Sequence, residues 1–339
     1  MDFKELMSTK AYNFLREDPR LGDRIILLGV TGSYGYGTER DGSDVDFRGI
    51  TLELPSDLIG FSKFEQFEDR DTDTVIYGFN KIIRLLLSCN PNTIEILGID
   101  PESYVIKTEI GQELLDNKDM FLTKRAAESF GHYADAQLRR LQNAIARDSM
   151  TQPDREEHII RSVKHALEDY NRKNEDSDSG VTRLYIDDAV TEGLETEIFI
   201  DGELKHFPLR KYNDMLNTMN TVICEYDKIG KRNKKKDDYH LNKHAMHLVR
   251  LFMMGIDILE YQTIRTRRPD DELELLKSIR DGYYTKDSIL NDEFYKVVAD
   301  YEKRFAEAER NSSLPNSPDM ERVEVFVENV NRRIINSSL

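Results

Sequence analysis

The chain has 339 residues, a formal net charge of −16 and 39% hydrophobic residues. That length allows one to three domains with cores of their own. The acidity weighs against broad, sequence-independent binding to long nucleic acid, which rests on many Lys/Arg–phosphate contacts, although a local basic patch can still hold RNA. Cys89 and Cys224, the only cysteines, are too few for a disulfide framework or a zinc cluster and suit a reducing compartment. No apolar run nears the ~20 residues that span a bilayer, and the acidic opening Met1-Asp-Phe-Lys-Glu5 has no signal-peptide pattern. A cytoplasmic location is expected.

Residues 3–17 read as a short amphipathic helix with Phe3, Leu6, Met7 and Phe14 as buried points, ended by the turn Asp18-Pro-Arg-Leu-Gly22. The apolar run Ile25-Ile-Leu-Leu28 predicts a buried strand over 24–30. Thr31–Thr38 follows, with Gly32, Gly35, Gly37 and small hydroxyls, a composition whose backbone N–H groups can meet phosphate. Tyr34 and Tyr36 either stack on a base or cover the glycine turn. Asp44-Val45-Asp46-Phe47 alternates as a strand does over 44–50, so Val45 and Phe47 face a core and the two carboxylates share the other face. Carboxylates so close repel each other unless a cation lies between them, and a hard divalent ion, Mg²⁺ or Mn²⁺, suits oxygen ligands. Arg48 is in phase with both acids, placed to neutralise phosphate or to pair with one of them.

A Gly32-Ser33 turn after one strand and Asp44-x-Asp46 on the next resembles the DNA polymerase beta-like nucleotidyltransferase superfamily. The resemblance implies an α+β protein that opens with a mixed sheet and flanking helices. It implies that Gly32 and Ser33 grip the triphosphate of an NTP, ATP among them. It also implies that Asp44 and Asp46, with a third carboxylate from a later strand, hold two Mg²⁺ ions. An NMP would then pass to a hydroxyl with release of pyrophosphate. Asp71-Thr-Asp73-Thr-Val-Ile-Tyr77 reads as the later strand. Asp73 is the choice for the third carboxylate, Asp71 is in the same phase, and Glu53 lies too close to the pair to fold back.

Residues 51–70 read as loop. Gly78–Ser88 reads as a helix with Phe79, Ile82, Ile83, Leu86 and Leu87 on one face. Lys81 and Arg84, three apart, either reach triphosphate or stand solvated. Asn90-Pro-Asn92 stops that helix and caps another at 93–98. The run from Val75 and Tyr77 through Lys81 to Asn90-Pro-Asn-x-x-Glu95-x-Leu97 is similar to the branch of the superfamily found in bacterial and phage RNA-repair operons. More loosely, the similarity extends over most of the chain. It implies an RNA 3′ end as acceptor, with tRNA among the candidates. Read by itself, Glu95 is a cap or a salt-bridge partner.

A strand at 103–107 and a helix around 109–118 complete a catalytic domain over 1–123. Residues 124–339 read as a mainly helical domain that closes the cleft, with helices at 124–147, 154–173, 209–228, 238–262, 270–281, 286–309 and 318–336. A small hairpin is expected from 196–200 and 203–207 about Asp201-Gly202. His158 and His165 share a helix face but lack a third metal ligand. Lys228–Lys236, with six basic residues in nine, is either a solvated run or a contact for an RNA backbone. On the helix 238–262, Lys243, His247, Arg250 and Asp257 form one stripe among apolar residues. Buried cations need counter-charges, either acids of the catalytic domain or the triphosphate. The pattern Lys243-x-x-x-His247-x-x-Arg250 resembles the superfamily's C-terminal helix, which implies the nucleotide. His247 would serve as general acid for pyrophosphate or as hydrogen-bonding support. Arg265, Arg267 and Arg268 beside Pro269 read as an extended basic edge near that cleft. Nucleotidylation of a protein or small molecule, and a non-catalytic NTP-binding module, stay open.

Overall fold

A computed structural model of the chain describes residues 2–149, 151–173, 182–192, 195–202, 204–230, 238–286 and 289–336. The fold is α+β. Its centre is β1 (Ile25–Thr31), every residue of which is buried. The strand is paired on both edges, with β2 (Asp46–Thr51) and β5 (Tyr104–Lys107), both antiparallel. A strand flanked on both edges and covered on both faces reads as a continuous apolar run, as Ile25–Leu28 does. β3 (Gln66–Asp69) and β4 (Thr74–Gly78) complete a five-stranded sheet of order β3-β4-β2-β1-β5. β2 and β4 run parallel, with Phe47 opposite Thr74 and Arg48 opposite Val75. The intervening chain, expected to be loop, holds the Pro55–Ile59 helix and β3.

One face of the sheet buries Leu28, Val30, Phe47 and Ile76 against Tyr12, Leu15 and Leu21, with Phe3, Leu6, Met7, Phe14, Tyr34 and Val45 packed around them. The N-terminal segment that supplies these residues is not one helix. It breaks into Phe3–Met7, a 3₁₀ turn Lys10–Tyr12 and Phe14–Glu17. Ser8 and Thr9 turn their hydroxyls back onto the carbonyls of Glu5 and Leu6, and Arg16 gathers the Met7 carbonyl at 2.8 Å and the Asn13 side chain at 2.7 Å. Such local bonds compete with a continuous helical ladder.

The helix Phe79–Leu86 buries the four apolar residues Phe79, Ile82, Ile83 and Leu86. Its start is tied by Glu53, buried at 4% exposure, whose Oε1 accepts the Asn80 N–H at 2.7 Å. Asn90, not Asn92, caps the next helix, accepting the Asn92 N–H at 3.0 Å with Pro91 at the first helical position.

The chain divides into two units, and the division differs from a boundary at residue 123. The first comprises Met1–Gln137, Ala245–Tyr284 and Asp292–Leu339, so the C-terminal helices belong with the sheet. Within it the Asp238–Tyr261 helix packs Phe252 on Phe305 of the Asp292–Asn311 helix, and Phe79 meets Phe326 of Met320–Asn336.

The second unit comprises Leu138–His244 and Thr285–Asn291. It holds the Gln152–Lys173 and Leu209–Gly230 helices and a β-ribbon of β6 (Thr182–Asp188) with β7 (Thr196–Gly202). The expected hairpin about Asp201-Gly202 is corrected: these two residues pair with Arg183 and Thr182 inside the ribbon. Tyr185 stacks on Phe199, and Gln152 and Asn171 of the adjacent helix hold Thr196 and Thr182, which favours this partner over the segment 203–207. Among the described residues no helix is long and apolar enough to cross a membrane.

Candidate active site

At the end of β1 the chain enters the short helix Gly32–Tyr36, closed by Gly37 in the left-handed conformation at φ 72°. Gly32 itself has φ 57°, and a Cβ there would fall 1.8 Å from Oδ2 of Asp46. Only glycine permits that approach. The Asp46 carboxylate therefore lies directly on the backbone of the glycine turn, where the first helical N–H groups have no intrahelical acceptor. Gly32→Ala is expected to displace this carboxylate and to strain the backbone by roughly 1–2 kcal/mol. Nucleotide transfer should fall on the order of 10²-fold, the cost of a misplacement of about 1 Å. Circular dichroism should stay unchanged, and activity within a few-fold of the parent would refute the assignment.

β2 places Asp46 and Arg48 on one face, as the alternation predicts, and sends Phe47 into the core. Arg48 Nη2 stands 3.9 Å from Asp46 Oδ1. Its Nη1 donates to the Phe47 carbonyl at 2.9 Å and to the Asp73 carbonyl at 2.6 Å. Asp44 precedes the strand and is exposed. Asp73 is not on a strand. It sits at φ 48° in the turn before β4, because Asp69 accepts both the N–H and the hydroxyl of Thr72 at 2.9 Å and closes a tight β3–β4 turn. Asp71 lies in the same turn. The backbone of Asp73, not its carboxylate, reaches β2, accepting from the Phe47 N–H at 3.2 Å and from Arg48.

Among the described residues no three His, Cys, Asp or Glu side chains are gathered into a metal-binding group. Asp44, Asp46 and the expected third carboxylate Asp73 are accordingly not gathered into one such group in this structure. What fits a hard divalent cation is the pair Asp44 and Asp46, two carboxylates two residues apart at the mouth of β2, with Arg48 rather than a third acid beside them.

Behind this edge lies a buried cluster. Tyr36 is fully buried, and its hydroxyl donates to Glu95 Oε2. The Arg250 guanidinium lies over the Tyr36 ring, 3.8 Å from its centroid, and Arg250 Nη2 is 2.7 Å from His247 Nδ1. The Arg250 charge also acts on Glu95, an acid of the same unit and one of the two kinds of counter-charge expected. Burial pushes the Glu95 carboxyl up, Arg250, the Tyr36 hydroxyl and Arg48 pull it down, and Asp46 adds to the upward push. Burial likewise raises the Tyr36 phenol well above its usual range.

The net rise at Glu95 has a sign that can be checked. Between 4.5, its value in the unfolded chain, and its higher folded value, the native protein holds a proton that the unfolded chain has released. Its contribution to stability is full below 4.5 and is lost as pH rises through the folded value. Denaturant unfolding of the parent and of Glu95→Gln should therefore diverge in the mutant's favour as pH rises from 4.5. A difference that stays flat would contradict the assignment.

Other expected site residues lie elsewhere. Tyr34 is partly buried and packs edge-on against Phe3 at 5.8 Å, beside the core cluster. Two residues on, Tyr36 points the other way. Lys81 bonds Glu65, and Arg84 stands 3.6 Å from the same carboxylate. Lys243 belongs to the second unit. The basic edge is corrected too: Arg265 and Arg268 pair with Asp257, and Arg268 has no exposed side-chain surface. Lys231–Lys236 lie outside the described residues.

Glu95 and Tyr36 are the residues that sequence reasoning undervalued. The available signal was a single charge inside the apolar run Ile94-Glu95-Ile96-Leu97, all of it buried.

A family model described as the RNA repair pathway DNA polymerase beta family matches residues 5–166. No curated protein and no solved structure matches the chain.

Proposed function

Since residues 5–166 match the family model described as the RNA repair pathway DNA polymerase beta family, a polymerase beta-like nucleotidyltransferase family, we propose that the chain is a nucleotidyltransferase of that kind and moves an NMP from an NTP to the 3′ hydroxyl of an RNA. The acceptor oxygen forms a bond to the α-phosphorus, the bond from that phosphorus to the β-phosphate bridge oxygen breaks, pyrophosphate leaves, and the hydroxyl proton passes to solvent.

The observation that carries this reading is the contact of the Asp46 carboxylate with the Gly32 backbone. It sets an acid able to hold a divalent cation beside amides able to hold phosphate. Gly32 and Ser33 bind the β- and γ-phosphates through backbone N–H groups. Asp44 and Asp46 hold Mg²⁺, or Mn²⁺, which when bound offsets charge on the phosphates. Arg48, Arg250 and His247 donate to phosphate oxygens from the other side. Asp73 acts through its carbonyl, which holds Arg48 in place. ATP is one candidate among the four nucleotides. An RNA backbone contact through Lys228–Lys236 remains part of the proposal.

The test offers each α-labelled NTP with Mg²⁺ to total RNA, to tRNA and to protein extract, with an Asp44→Ala/Asp46→Ala control. Label entering RNA and lost in the control supports the reading. Label on protein moves the acceptor to a polypeptide. NTP binding without any transfer leaves a binding module.

A further inference from the structure

Arginine carries only N–H donors, so a bond from Arg250 Nη2 to His247 Nδ1 at 2.7 Å requires that nitrogen to accept. The His247 proton then sits on Nε2, and the ring is neutral. Arg250 is constrained from its other side by the Tyr36 ring at 3.8 Å. That ring is held, since it is fully buried and its hydroxyl lies between Glu95 Oε2 and Met254 Sδ. The contacts join residues far apart in the chain, at sequence separations of 59 for Tyr36 and Glu95 and 218 for Tyr36 and Met254. All of them lie in the first unit.

Tyr36 also ends the very helix that Gly32 and Ser33 begin. The glycine turn and Arg250 are therefore joined through one aromatic side chain. A guanidinium on a free stem would lose rotamer entropy on meeting phosphate. Laid flat on a fixed ring with a buried carboxylate nearby, it has already lost it. Arg250 Nε is buried without a hydrogen-bond partner among the described residues, which leaves this group oriented by the Tyr36 ring and by its Nη atoms.

We infer that Tyr36 and Glu95 are positioning residues that hold Arg250, and through it the neutral Nε2–H tautomer of His247, at a set distance from the Gly32–Ser33 turn for the phosphates of a nucleoside triphosphate. This rests on the nucleotidyltransferase reading and adds to it the residues that orient the phosphate clamp. Tyr36 and Glu95 touch no substrate. They act through Arg250.

A double-mutant cycle tests this on the full chain, with Mg²⁺–NTP dissociation constants from titration calorimetry and thermal melts as a folding check. Arg250→Ala is expected to weaken NTP binding ~10-fold or more, the loss of one charge-assisted contact. Tyr36→Leu should weaken it nearly as much. Tyr36→Leu added to Arg250→Ala should cost nothing further, because the platform has nothing left to hold. Should Tyr36→Leu fail to fold, Tyr36→Phe and Glu95→Gln replace it. Tyr36→Phe keeps the ring and removes only the hydroxyl with its contacts to Glu95 and Met254, so it should give a smaller loss that also vanishes in the Arg250→Ala background.

Additive losses would mean that Tyr36 acts by general stability and would overturn the inference. Unchanged NTP binding in Arg250→Ala would overturn it while leaving the nucleotidyltransferase reading intact. A parent chain that binds none of the four NTPs would overturn that reading and this inference together.

Discussion

Asp46→Asn is expected to lower Mg²⁺-dependent transfer of an α-labelled nucleotide by ~10³-fold or more. The substitution is nearly isosteric, so the amide can occupy the same place on the Gly32 backbone. It removes the charge alone. Arg48 stays in place, because it is tied to the Phe47 and Asp73 carbonyls at 2.9 and 2.6 Å independently of the carboxylate. A ~10³-fold loss corresponds to about 4 kcal/mol of barrier, comparable to removing one preorganised contact to a charge that develops in the transition state. Asp44 is exposed and precedes the strand, so Asp44→Asn should cost less, on the order of 10²-fold, through weaker cation binding. The two are separated by titrating Mg²⁺: high concentration should rescue Asp44→Asn in part and Asp46→Asn hardly at all. If Asp46→Asn keeps a tenth of the parent's activity, the site is misassigned.

The second large effect concerns stability. Asp257, 3% exposed at its side chain, faces two arginines. Arg268 Nη1 lies 2.7 Å from its Oδ2 and 3.1 Å from Glu272, and Nη2 donates to the Arg265 carbonyl at 2.8 Å. Arg268 has no exposed side-chain surface, and its Nε already lacks a hydrogen-bond partner among the described residues. Removing Asp257 leaves that guanidinium buried with one carboxylate, itself 20% exposed. Asp257→Ala is therefore expected to destabilise the chain by about 3–5 kcal/mol, the usual cost of breaking a buried pair from one side. Much of a domain's net stability of ~5–15 kcal/mol would go. Arg265→Ala should cost under ~1 kcal/mol, since Arg265 is 41% exposed at its side chain and water can replace it. Pairing Asp257→Ala with Arg268→Met should recover most of the loss, because the unpaired charge is then gone. Denaturant unfolding of the three variants checks this, and a double variant no more stable than Asp257→Ala would contradict it.

The strand–turn–strand core of the site was legible because its geometry is local. Ile25–Leu28 is apolar on both faces, glycines stand where the backbone turns left-handed, and Asp46, Phe47 and Arg48 alternate on one strand. Asp73 was misread because five polar residues, Asp69-Arg-Asp-Thr-Asp73, can extend a strand or close a turn. The choice was made by the pairing of β3 with β4 and by the Asp69–Thr72 bonds. The partners of Lys81, Tyr34 and the arginines at 265 and 268 were not legible for a common reason: a cation or an aromatic ring has many partners open to it, and sequence does not say which comes within reach.

By itself, then, the sequence determined the secondary elements with strong periodicity, the glycine turn, the acid at the head of β2 and the match to the family model over residues 5–166. Tertiary structure decided the return of the C-terminal helices to the sheet, the pairing of β6 with β7, and the meeting of Tyr36, Glu95 and Arg250. The physical reason is range. Helix and strand periods are set by neighbours a few residues apart, whereas a buried charge is stable only beside the one partner that folding brings to it, and that partner can lie hundreds of residues away.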